Sequence, residues 1–376
     1  MRFRIARDDF SQILSQLQGF LSQQALREEI KNGLLLEATG HQLRLSATDL
    51  EIFFRGQIPA EVEEPGALIV DGKHLRGIIR ELPEQQVLFE EERADAEGSQ
   101  QLRISSGRSR MKLIARAGEL YPALPAELEE DGQSDADPVL LGQLFERTLF
   151  SSSSDDSRPN LNGVFLSSGE TPETLCAAST DGHRLSVVAR SLFSVGAAGA
   201  LGAEGVIIPR KAVVELKKLL DGGAALSVAQ RGNYLSLATA DFQIAIRLVD
   251  AKFPDYRRVI PSENPHSYRL SRGALVSALK RLCLVHHEVV LSFSPEQLTL
   301  NCEAEQSQGE EQLSLVSGSD EELQIKFNAK FIQDILSITK GDEVEFLLKN
   351  SVLPGIVRDC TPETERDVFV IMPMNL

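Results

Sequence analysis

The residues of this chain that could do chemistry lie in two short stretches. The string TDGHRL places His183 between Asp181 and Arg184, a combination of side chains that acid–base catalysis also uses. The second stretch groups residue types that bind zinc, although their spacing matches no zinc motif: they are Cys283, His286, His287 and Glu288. No nucleophile elbow, phosphate-binding loop or metal triad accompanies either stretch. The sequence therefore predicts a protein that is not an enzyme and uses no cofactor or metal.

Length and composition indicate an ordinary folded protein. The 376 residues suggest two to four domains, because a domain usually has about 100–200 residues. Hydrophobic residues make up 42% of the chain and charged residues 25%, which argues against a disordered or membrane-embedded protein. No apolar run approaches the roughly 18–20 residues of a membrane span, and the first residues do not form a signal sequence. We therefore expect a cytoplasmic protein.

The elements that must position these stretches form a repeat. Three times, an apolar strand leads into a helix in which a lysine is followed by apolar residues two and five positions later. The three lysines are Lys73, Lys211 and Lys330. A second amphipathic helix is predicted near the start of each copy, within residues 7–18, 137–148 and 272–282. The repeat predicts three similar domains.

The segments between the helices predict antiparallel sheet. Apolar and polar residues alternate from Gln42 to Ala47 and from Gln297 to Leu300, as half-buried strands do. Two helices packed on an antiparallel sheet make each copy an α+β domain. Pro-containing stretches end the first two copies and set the predicted domains at 1–127, 128–262 and 263–376. The acidic residues 127–137 and the Gly/Ala-rich residues 195–205 are predicted to be linker and loop.

Charge is distributed unevenly along the repeat. The net charge is −16, so the chain as a whole should repel DNA. The six predicted helices nevertheless carry +7, which leaves the remainder strongly acidic. If the helices share one side, that side is basic and would bind a phosphate backbone without sequence preference. The alternative is that these lysines and arginines are simply solvated along the helix faces.

Eight short strings follow one another in an order and spacing that point to a known family. Together they closely resemble the bacterial beta sliding clamps of DNA polymerase III over the full length of the chain. The strings are TDLE from Thr48, SGRSR from Ser106, LNG from Leu161, TDGHRL from Thr180, PRK from Pro209, LDGG from Leu220, FPDYRRV from Phe253 and VIMPM from Val370.

The resemblance implies a fold and a function. Three clamp domains per chain would close by head-to-tail dimerisation into a six-domain ring with helices inside and sheets outside. Such a homodimer is a DNA sliding clamp: it encircles double-stranded DNA and confers processivity on the replicative DNA polymerase. The polymerase, the clamp loader and repair proteins would dock on it through short peptide motifs.

Two other interpretations remain open from the sequence. Within the family, the alternative is a divergent clamp paralogue that serves repair or a mobile element. Outside the family, the alternative is a small-molecule-binding or hydrolytic protein built on the same repeat. The latter would need a polar pocket with coupled titratable groups.

The resemblance also implies site residues. DNA contacts are expected from Lys73, Arg80, Arg158, Arg210, Lys211, Lys217, Lys280 and Arg281. A peptide-binding groove between the second and third domains is expected from Leu161, Thr180, Gly182, His183, Arg184, Leu185, Pro254, Arg258, Val259, Pro354, Val370, Met372, Pro373 and Met374. For the valines and methionines the alternative is ordinary core packing. The dimer interface is expected from Met111, Leu113, Leu284 and Val285.

Three segments depart from the family pattern. Asn375 stands where relatives usually carry a basic residue, and Pro159 with Asn160 replaces an aromatic or aliphatic pair. The segment from Ser22 to Arg27 lacks the usual basic and proline residues. The departure at Asn375 concerns the groove, and the departure in the segment from Ser22 to Arg27 concerns a contact with DNA.

Overall fold

A computed structural model describes residues 1–21, 33–93, 100–123, 125, 134–193, 201, 204–220, 225–364 and 366–375. These residues form two compact units. The first comprises Met1–Val139, Phe193–Leu201 and Val214–Leu248, and the second comprises Leu140–Leu192, Gly202–Val213 and Val249–Leu376. The segment 22–27 and most of the predicted linker 127–137 and loop 195–205 lie outside the described residues.

The described residues contain six α-helices, in the order that the repeat predicts. They are α1 Arg7–Gln16, α2 Gly72–Glu81, α3 Pro138–Leu149, α4 Arg210–Leu220, α5 Arg272–Leu282 and α6 Ala329–Ile338. Each helix buries one face at the predicted spacing; α5, for example, buries Leu275, Leu279 and Leu282. Side-chain oxygens of Asp71 and Ser271 accept backbone N–H groups at the starts of α2 and α5, which explains where these helices begin.

The same residues contain 25 β-strands, all paired antiparallel. The strands are β1 Arg2–Ala6, β2 Gly33–Thr39, β3 Gln42–Thr48, β4 Ile52–Pro59, β5 Glu61–Glu64, β6 Gly66–Asp71, β7 Gln86–Arg93, β8 Gln100–Ser106, β9 Ser109–Ala117, β10 Ser134–Ala136, β11 Gly163–Ser168, β12 Thr174–Thr180, β13 Arg184–Ser191, β14 Val206–Pro209, β15 Leu226–Arg231, β16 Tyr234–Ala238, β17 Phe242–Arg247, β18 His266–Ser271, β19 Glu288–Phe293, β20 Gln297–Ala304, β21 Ser307–Gly318, β22 Leu323–Asn328, β23 Glu343–Leu348, β24 Gly355–Asp359 and β25 Val368–Ile371.

One element order occurs three times. Each copy runs strand, helix, three strands, strand, helix, three strands, and the first copy has the short β5 in addition. In each copy the strand before the second helix leads directly into the helix that carries Lys73, Lys211 or Lys330. The prediction of three α+β domains, each with two helices and antiparallel sheet, is confirmed.

The first unit is built on a 13-stranded sheet. Its order is β10-β15-β16-β17-β4-β3-β2-β6-β9-β8-β7-β1-β5. Strand β17 of the second copy pairs with β4 of the first, so Ala245 lies opposite Phe53. The sheet of the first copy therefore continues without interruption into the last strands of the second.

The second unit is built on a 12-stranded sheet in which strands of two copies are again paired. Its order is β14-β11-β12-β13-β25-β24-β23-β18-β21-β20-β19-β22. Strand β25 of the third copy pairs with β13 of the second, so Val370 lies opposite Leu185. The middle copy is thus divided: β11 to β14 belong to the second sheet, whereas β10 and β15 to β17 belong to the first.

Aromatic side chains and helix faces form the cores. In the first unit, the rings of Phe3 and Phe89 stack at 4.7 Å, and Phe10 of α1 meets Phe89 edge-on at 5.4 Å. In the second unit, Tyr268 stacks on Phe293 at 4.4 Å. Among the described residues, no helix combines the length and the apolar character that crossing a membrane requires.

Candidate peptide groove, helix surface and open sheet edges

The TDGHRL string forms a rigid turn between β12 and β13. The hydroxyl of Thr180 donates to the carbonyl of Arg184 and accepts the N–H of Gly182, while a carboxylate oxygen of Asp181 accepts the N–H groups of His183 and Arg184. Gly182 has a φ of 94°, in the left-handed region that glycine adopts without strain. The hydrogen bonds of this turn therefore hold His183 and Arg184 in fixed directions. The string has a positioning role, although its residue types also occur in catalytic sites.

The Arg184 side chain is held from several sides. Its guanidinium lies 4.5 Å from the ring centre of Phe331 and 5.5 Å from that of Phe150. It also forms ion pairs with Asp181, at 3.0 Å, and with Asp334 of α6. The exposed ring of His183 is stacked 6.4 Å from Phe331. This arrangement makes a flat, partly aromatic surface.

The C-terminal segment lies along this surface. The N–H of Met372 donates to the carbonyl of His183 at 2.9 Å, and the N–H of Met374 donates to the carbonyl of Lys326 at 2.8 Å. Met372 is 38% exposed, and Pro373 and Met374 are half-buried. The main chain of the VIMPM string thus bridges β13 and β22 and leaves its methionines at the surface, as a binding site for varied apolar groups would require.

Two of the expected groove residues lie below the surface. Leu185 and Val370 are 2% and 1% exposed and belong to a buried cluster with Phe253, Tyr256 and Ile356. Burial raises the pKa of Tyr256 to about 12, so its hydroxyl keeps its proton at neutral pH. For Leu185 and Val370 the structure thus agrees with the core-packing alternative, and they can act only as the floor of a groove.

The remaining groove residues flank that cluster. Pro254, Arg258 and Val259 are exposed on either side of the buried Tyr256, and Arg258 pairs with Asp255 at 2.8 Å. Leu161 and Thr180 are half-buried. Pro354 is half-buried in the loop between β23 and β24.

Next to the expected groove residues the structure places further side chains that the sequence reasoning did not include. Phe331 and Phe150 support Arg184, and the apolar side chains of Val352 and Leu353 are 73% and 41% exposed next to Pro354. The side chain of Asn350 accepts the N–H groups of Val352 and Leu353, which fixes their loop. The only signal in the sequence was a short apolar run beside a proline at the end of a strand.

A buried ion network anchors β25, the strand that leads to the exposed methionines. Asp367 is fully buried and binds Arg147 of α3 at 2.5 Å and Arg190 of β13 at 2.6 Å. Arg147 also donates to the carbonyl of Ile338 at 2.7 Å, and its Nη2 lies 3.6 Å from Asp359. Because buried charges are costly unless paired, this network ties the second and third copies together at one geometry.

Most of the residues expected to contact DNA lie on helices. Lys73 and Arg80 project from α2 opposite the buried Leu75 and Ile79, and Lys280 is exposed in the last turn of α5. Lys211 is exposed and Lys217 half-buried on α4. The alternative for these residues is ordinary solvation along the helix faces; Arg80 and Lys280, in the last turns of their helices, also interact favourably with the helix dipole.

Four of the cations expected to contact DNA already have partners within the protein. Arg80 pairs with Glu81 at 3.0 Å, and Arg281 pairs with Glu311 at 2.6 Å, which lowers the pKa of the Glu311 carboxyl. Arg158 binds the Asp155 carboxylate at 3.1 Å and the Asp181 carbonyl at 3.3 Å, beside the TDGHRL turn. Arg210 is half-buried against the end of α3. The structure thus places Arg158 and Arg210 near the groove side of the second unit.

The expected dimer residues of the first copy lie on a strand with an open edge. Residues Ser109 to Ile114 of β9 pair with β8, whereas the pairing with β6 begins only at Ala115. Met111 and Ile114 are 44% and 74% exposed on this edge, and Leu113 is half-buried. An exposed apolar strand edge is a template for pairing with another chain.

The third copy has a corresponding open edge. Residues Ser307 to Ser314 of β21 pair with β20, and the pairing with β18 begins only at Leu315. Leu284, just after α5, is 87% exposed, and Val285 beside it is half-buried. The edge near β21 is acidic and the edge near β9 is basic: the first carries Glu303, Glu305, Glu310 and Glu311, and the second carries Arg103, Arg108, Arg110 and Lys112.

Two polar concavities among the described residues could hold a small molecule. One, of about 240 Å³, lies where β4 meets β17 and is lined by Arg44, Arg55 and Gln57 among others. The other, of about 480 Å³, lies on β19 to β22 and includes Glu288, Glu303, Glu310 and Lys326. Within the described ranges, no three His, Cys, Asp or Glu side chains are placed to hold a metal ion.

The chain matches three family profiles in succession. Residues 1–125 match the DNA polymerase III beta subunit N-terminal domain, residues 137–255 its central domain and residues 257–375 its C-terminal domain. Among curated proteins, the beta sliding clamp of Escherichia coli K12 is 32% identical over 387 residues and covers all of both chains.

Solved structures agree with this match. The sliding clamp of Bartonella birtlesii bound to griselimycin has a TM-score of 0.90 and 28% identity over all of both chains. The C. crescentus beta sliding clamp, crystallised with PEG at a putative beta-motif tethering region, has a TM-score of 0.89 and 25% identity, covering all of this chain and 99% of the other.

Proposed function

Because the chain belongs to the DNA polymerase III beta subunit family of sliding clamps, we propose that two copies close head to tail into a ring around duplex DNA and tether the replicative polymerase there. Sliding clamps are processivity factors and not enzymes. The relatives support this function over that of a divergent paralogue, because the curated and solved ones reported above are named as clamps of DNA polymerase III or beta sliding clamps.

The proposal of a ring rests on how strands of successive copies pair with each other. The last strand of the second copy pairs with β4 of the first, and the last strand of the third pairs with β13 of the second. The same rule leaves β9, the last strand of the first copy, and β21, the counterpart of β4 and β13, without partners along the edges described above. Two molecules complete the pattern if β21 of each molecule pairs with β9 of the other.

The repeat also predicts the register of that pairing. Strand β9 corresponds to β17 and β25 in the other copies, and Arg110 takes the position of Gln243 and Val368 in them. Gln243 is paired with Arg55, and Val368 is paired with Val187. The position equivalent to Arg55 and Val187 on β21 is Glu310. In the dimer Arg110 would therefore face Glu310 of the partner subunit. Opposite charges favour the head-to-tail contact, and two basic or two acidic edges would repel each other.

The helices supply the surface that faces DNA in this proposal. The six observed helices together carry +7 in a chain of −16. Lys73, Arg80, Lys211, Lys217, Lys280 and Arg281 remain the proposed contacts to phosphate on these helices. Contacts to phosphate alone carry no sequence information and are weakened by salt, which suits a ring that must slide. Enclosure, and not adhesion, would keep the ring on DNA.

The groove of the second unit is the proposed docking site for partners. Exposed apolar side chains, among them Met372, Val259 and Val352, surround the aromatic surface of Phe331 and His183. Short apolar peptides of the polymerase, the clamp loader and repair proteins would bind there. We also propose this groove as the binding site for griselimycin, the compound bound to the Bartonella birtlesii clamp.

Further proposals follow from this function. Domain boundaries near residues 127 and 262 would separate the three clamp domains. An ATP-driven loader would open the ring at one β9–β21 contact, since these are the contacts between separate chains. The protein would act in the cytoplasm, where the chromosome is.

Retention on circular DNA tests the proposal. The protein is loaded onto a nicked circular plasmid by its own loader with ATP, and gel filtration then measures how much stays with the DNA. We expect retention on the circle and loss after a restriction enzyme makes the plasmid linear. Equal retention on circular and linear DNA would contradict enclosure and indicate simple adhesion.

A further inference from the structure

Arg210 begins α4, and its side chain is directed at the end of another helix. Its Nη1 donates to the carbonyl of Leu149 at 2.9 Å and to the carbonyl of Ser152 at 3.2 Å, and it also contacts the Ser152 hydroxyl. Leu149 is the last residue of α3. The last carbonyls of a helix lack partners within the helix, and a guanidinium can satisfy several of them at once. Arg210 therefore caps α3.

The same device occurs in the other two copies. Arg7, the first residue of α1, donates to the carbonyl of Leu82 at 2.7 Å, directly after α2. Arg272, the first residue of α5, donates to the carbonyl of Leu336 at 2.7 Å, in the last turns of α6. In each copy an arginine at the start of one helix thus binds the end of the other. The direction is reversed in the second copy, where the second helix caps the first, and the positions equivalent to Arg210 are Gly72 and Ala329, so the contact of Arg210 is specific to this copy.

In the second copy the capped segment supports the groove. Phe150 lies between the two carbonyls that Arg210 binds, and its ring is 5.5 Å from the Arg184 guanidinium and 6.0 Å from the ring of Phe369. Arg184 in turn adjoins Phe331, 4.5 Å away, and follows His183. A continuous series of contacts therefore joins Arg210 to the aromatic surface of the groove.

The position of Arg210 is electrostatically unfavourable for a cation that serves only DNA. Burial lowers the pKa of its guanidinium, and the like charge of Arg184 lowers it further. An arginine directed at phosphate gains nothing from such a site. An arginine whose Nη1 must reach carbonyls at the end of another helix does, because the nitrogen of a lysine side chain lies one atom nearer the backbone and does not reach the same acceptors.

We infer that Arg210 is a positioning residue of the peptide groove, which it shapes through the end of α3, Phe150 and Arg184, and that it is not a DNA contact. This inference rests on the proposed function of the groove. It changes the role that the family resemblance implied for Arg210. Lys211, its neighbour in the sequence, keeps the proposed role at DNA.

The test measures griselimycin affinity by calorimetry on the full-length protein. We expect Arg210→Lys and Arg210→Gln each to weaken binding about five- to tenfold, since neither side chain places a donor where Nη1 of Arg210 lies. Arg7→Lys is the matched control: it disturbs an arginine cap between the two helices of the first copy, so it should lower the melting temperature to a similar extent while leaving the affinity unchanged. If positive charge alone mattered, Arg210→Lys would bind like the natural protein, and this result would overturn the inference.

A double-mutant cycle separates positioning from general loss of stability. Once Phe150→Leu has removed the ring, adding Arg210→Lys should weaken griselimycin binding less than twofold further, because both act through the same contact. Fully additive effects would contradict the inference. Ser152→Ala, which removes one acceptor and leaves Arg210 in place, gives a milder variant should Arg210→Gln fold poorly; it should weaken binding about twofold.

The outcomes for the inference and for the proposed function can be told apart. If the natural protein itself does not bind griselimycin, the groove proposal is wrong and the role of Arg210 is wrong with it. If the natural protein and Arg210→Lys bind equally well, only the inference fails. Dissociation from DNA at increasing salt gives a second readout: Arg210→Gln, which removes the charge, should leave the salt dependence unchanged, and a reduced slope would overturn the inference.

Discussion

Leu50 and Gly182 occupy the same position of the same turn in the first and second copies. Their φ angles are 76° and 94°, and in both turns a threonine hydroxyl accepts the N–H of this residue, at 2.9 Å for Leu50 and at 3.1 Å for Gly182. The turn is thus inherited from the repeat. Glycine adopts this conformation freely, whereas leucine is strained in it.

Substitutions at this position should have opposite effects in the two copies. A Cβ added at Gly182 has only the Arg158 guanidinium near it, at 3.8 Å, so Gly182→Ala should destabilise the fold by about 1–2 kcal/mol through backbone strain alone. Leu50→Gly should be neutral or stabilising by up to about 1 kcal/mol, because relief of strain offsets the greater freedom of the unfolded chain. Chemical denaturation measures both. Gly77→Ala in α2, where the added Cβ meets nothing within 4 Å, should stabilise by about 0.5–1 kcal/mol and serves as the control.

The register proposed for the dimer makes a charge-reversal prediction. Arg110→Glu would place like charges opposite each other, so the dimer should dissociate at least about tenfold more readily at low salt. Adding Glu310→Arg to the same chain should restore the dimer, since each interface regains opposite charges. Sedimentation equilibrium measures the dimer constant. Lys252→Glu, an exposed charge reversal outside both edges, is the control. Failure of the double variant to recover would contradict the Arg110–Glu310 register.

Two exposed apolar residues should have separate functions. Leu284 is 87% exposed and Val352 is 73% exposed, yet the first belongs to the proposed interface and the second to the proposed groove. Leu284→Ser together with Val285→Ser should yield monomers that still bind griselimycin. Val352→Ser should yield dimers that bind it more weakly, by about threefold for a lost apolar contact. Light scattering and calorimetry check the two properties, and a dimer of Leu284→Ser, Val285→Ser at low concentration would contradict the interface.

The C-terminal segment should be required for docking but not for dimerisation. Deletion of Met372 to Leu376 removes the methionines and the main-chain bonds to His183 and Lys326, while β25 ends earlier, at Ile371. Griselimycin binding should fall below detection, and the dimer should remain. A truncated protein that binds the compound with undiminished affinity would refute the assignment of the groove.

The buried network should contribute strongly to stability. Asp367→Asn leaves Arg147 and Arg190 without their shared carboxylate, and breaking a buried pair typically costs about 3–5 kcal/mol. Urea denaturation should show this loss. Arg80→Met, which removes the exposed pair with Glu81, should cost less than about 1 kcal/mol. Because Asp367 precedes β25, weakened griselimycin binding by Asp367→Asn would further indicate that the network holds the groove.

The sequence by itself determined the repeat, the fold class and the family. Periodicities around Lys73, Lys211 and Lys330 are local properties, set by which face of a helix or strand is apolar, and they can be read without tertiary contacts. The uneven charge of the helices is equally a property of composition. These features were enough to predict three α+β copies, and the structure confirms them.

Only the tertiary structure decided which side chains share a surface. Val370 and Met372 are two residues apart, a spacing that would put both on the same face of a strand, yet one is buried and the other exposed, because β25 ends at Ile371 and Met372 lies beyond it. Phe150 and Phe331 come from distant segments and both lie against Arg184, which no spacing in the sequence indicates. Arg210 follows Pro209 in a basic string, and only the position of the end of α3 shows that its guanidinium binds carbonyls. The sign of a charge is known from the sequence, but the fold determines which group the charged side chain contacts.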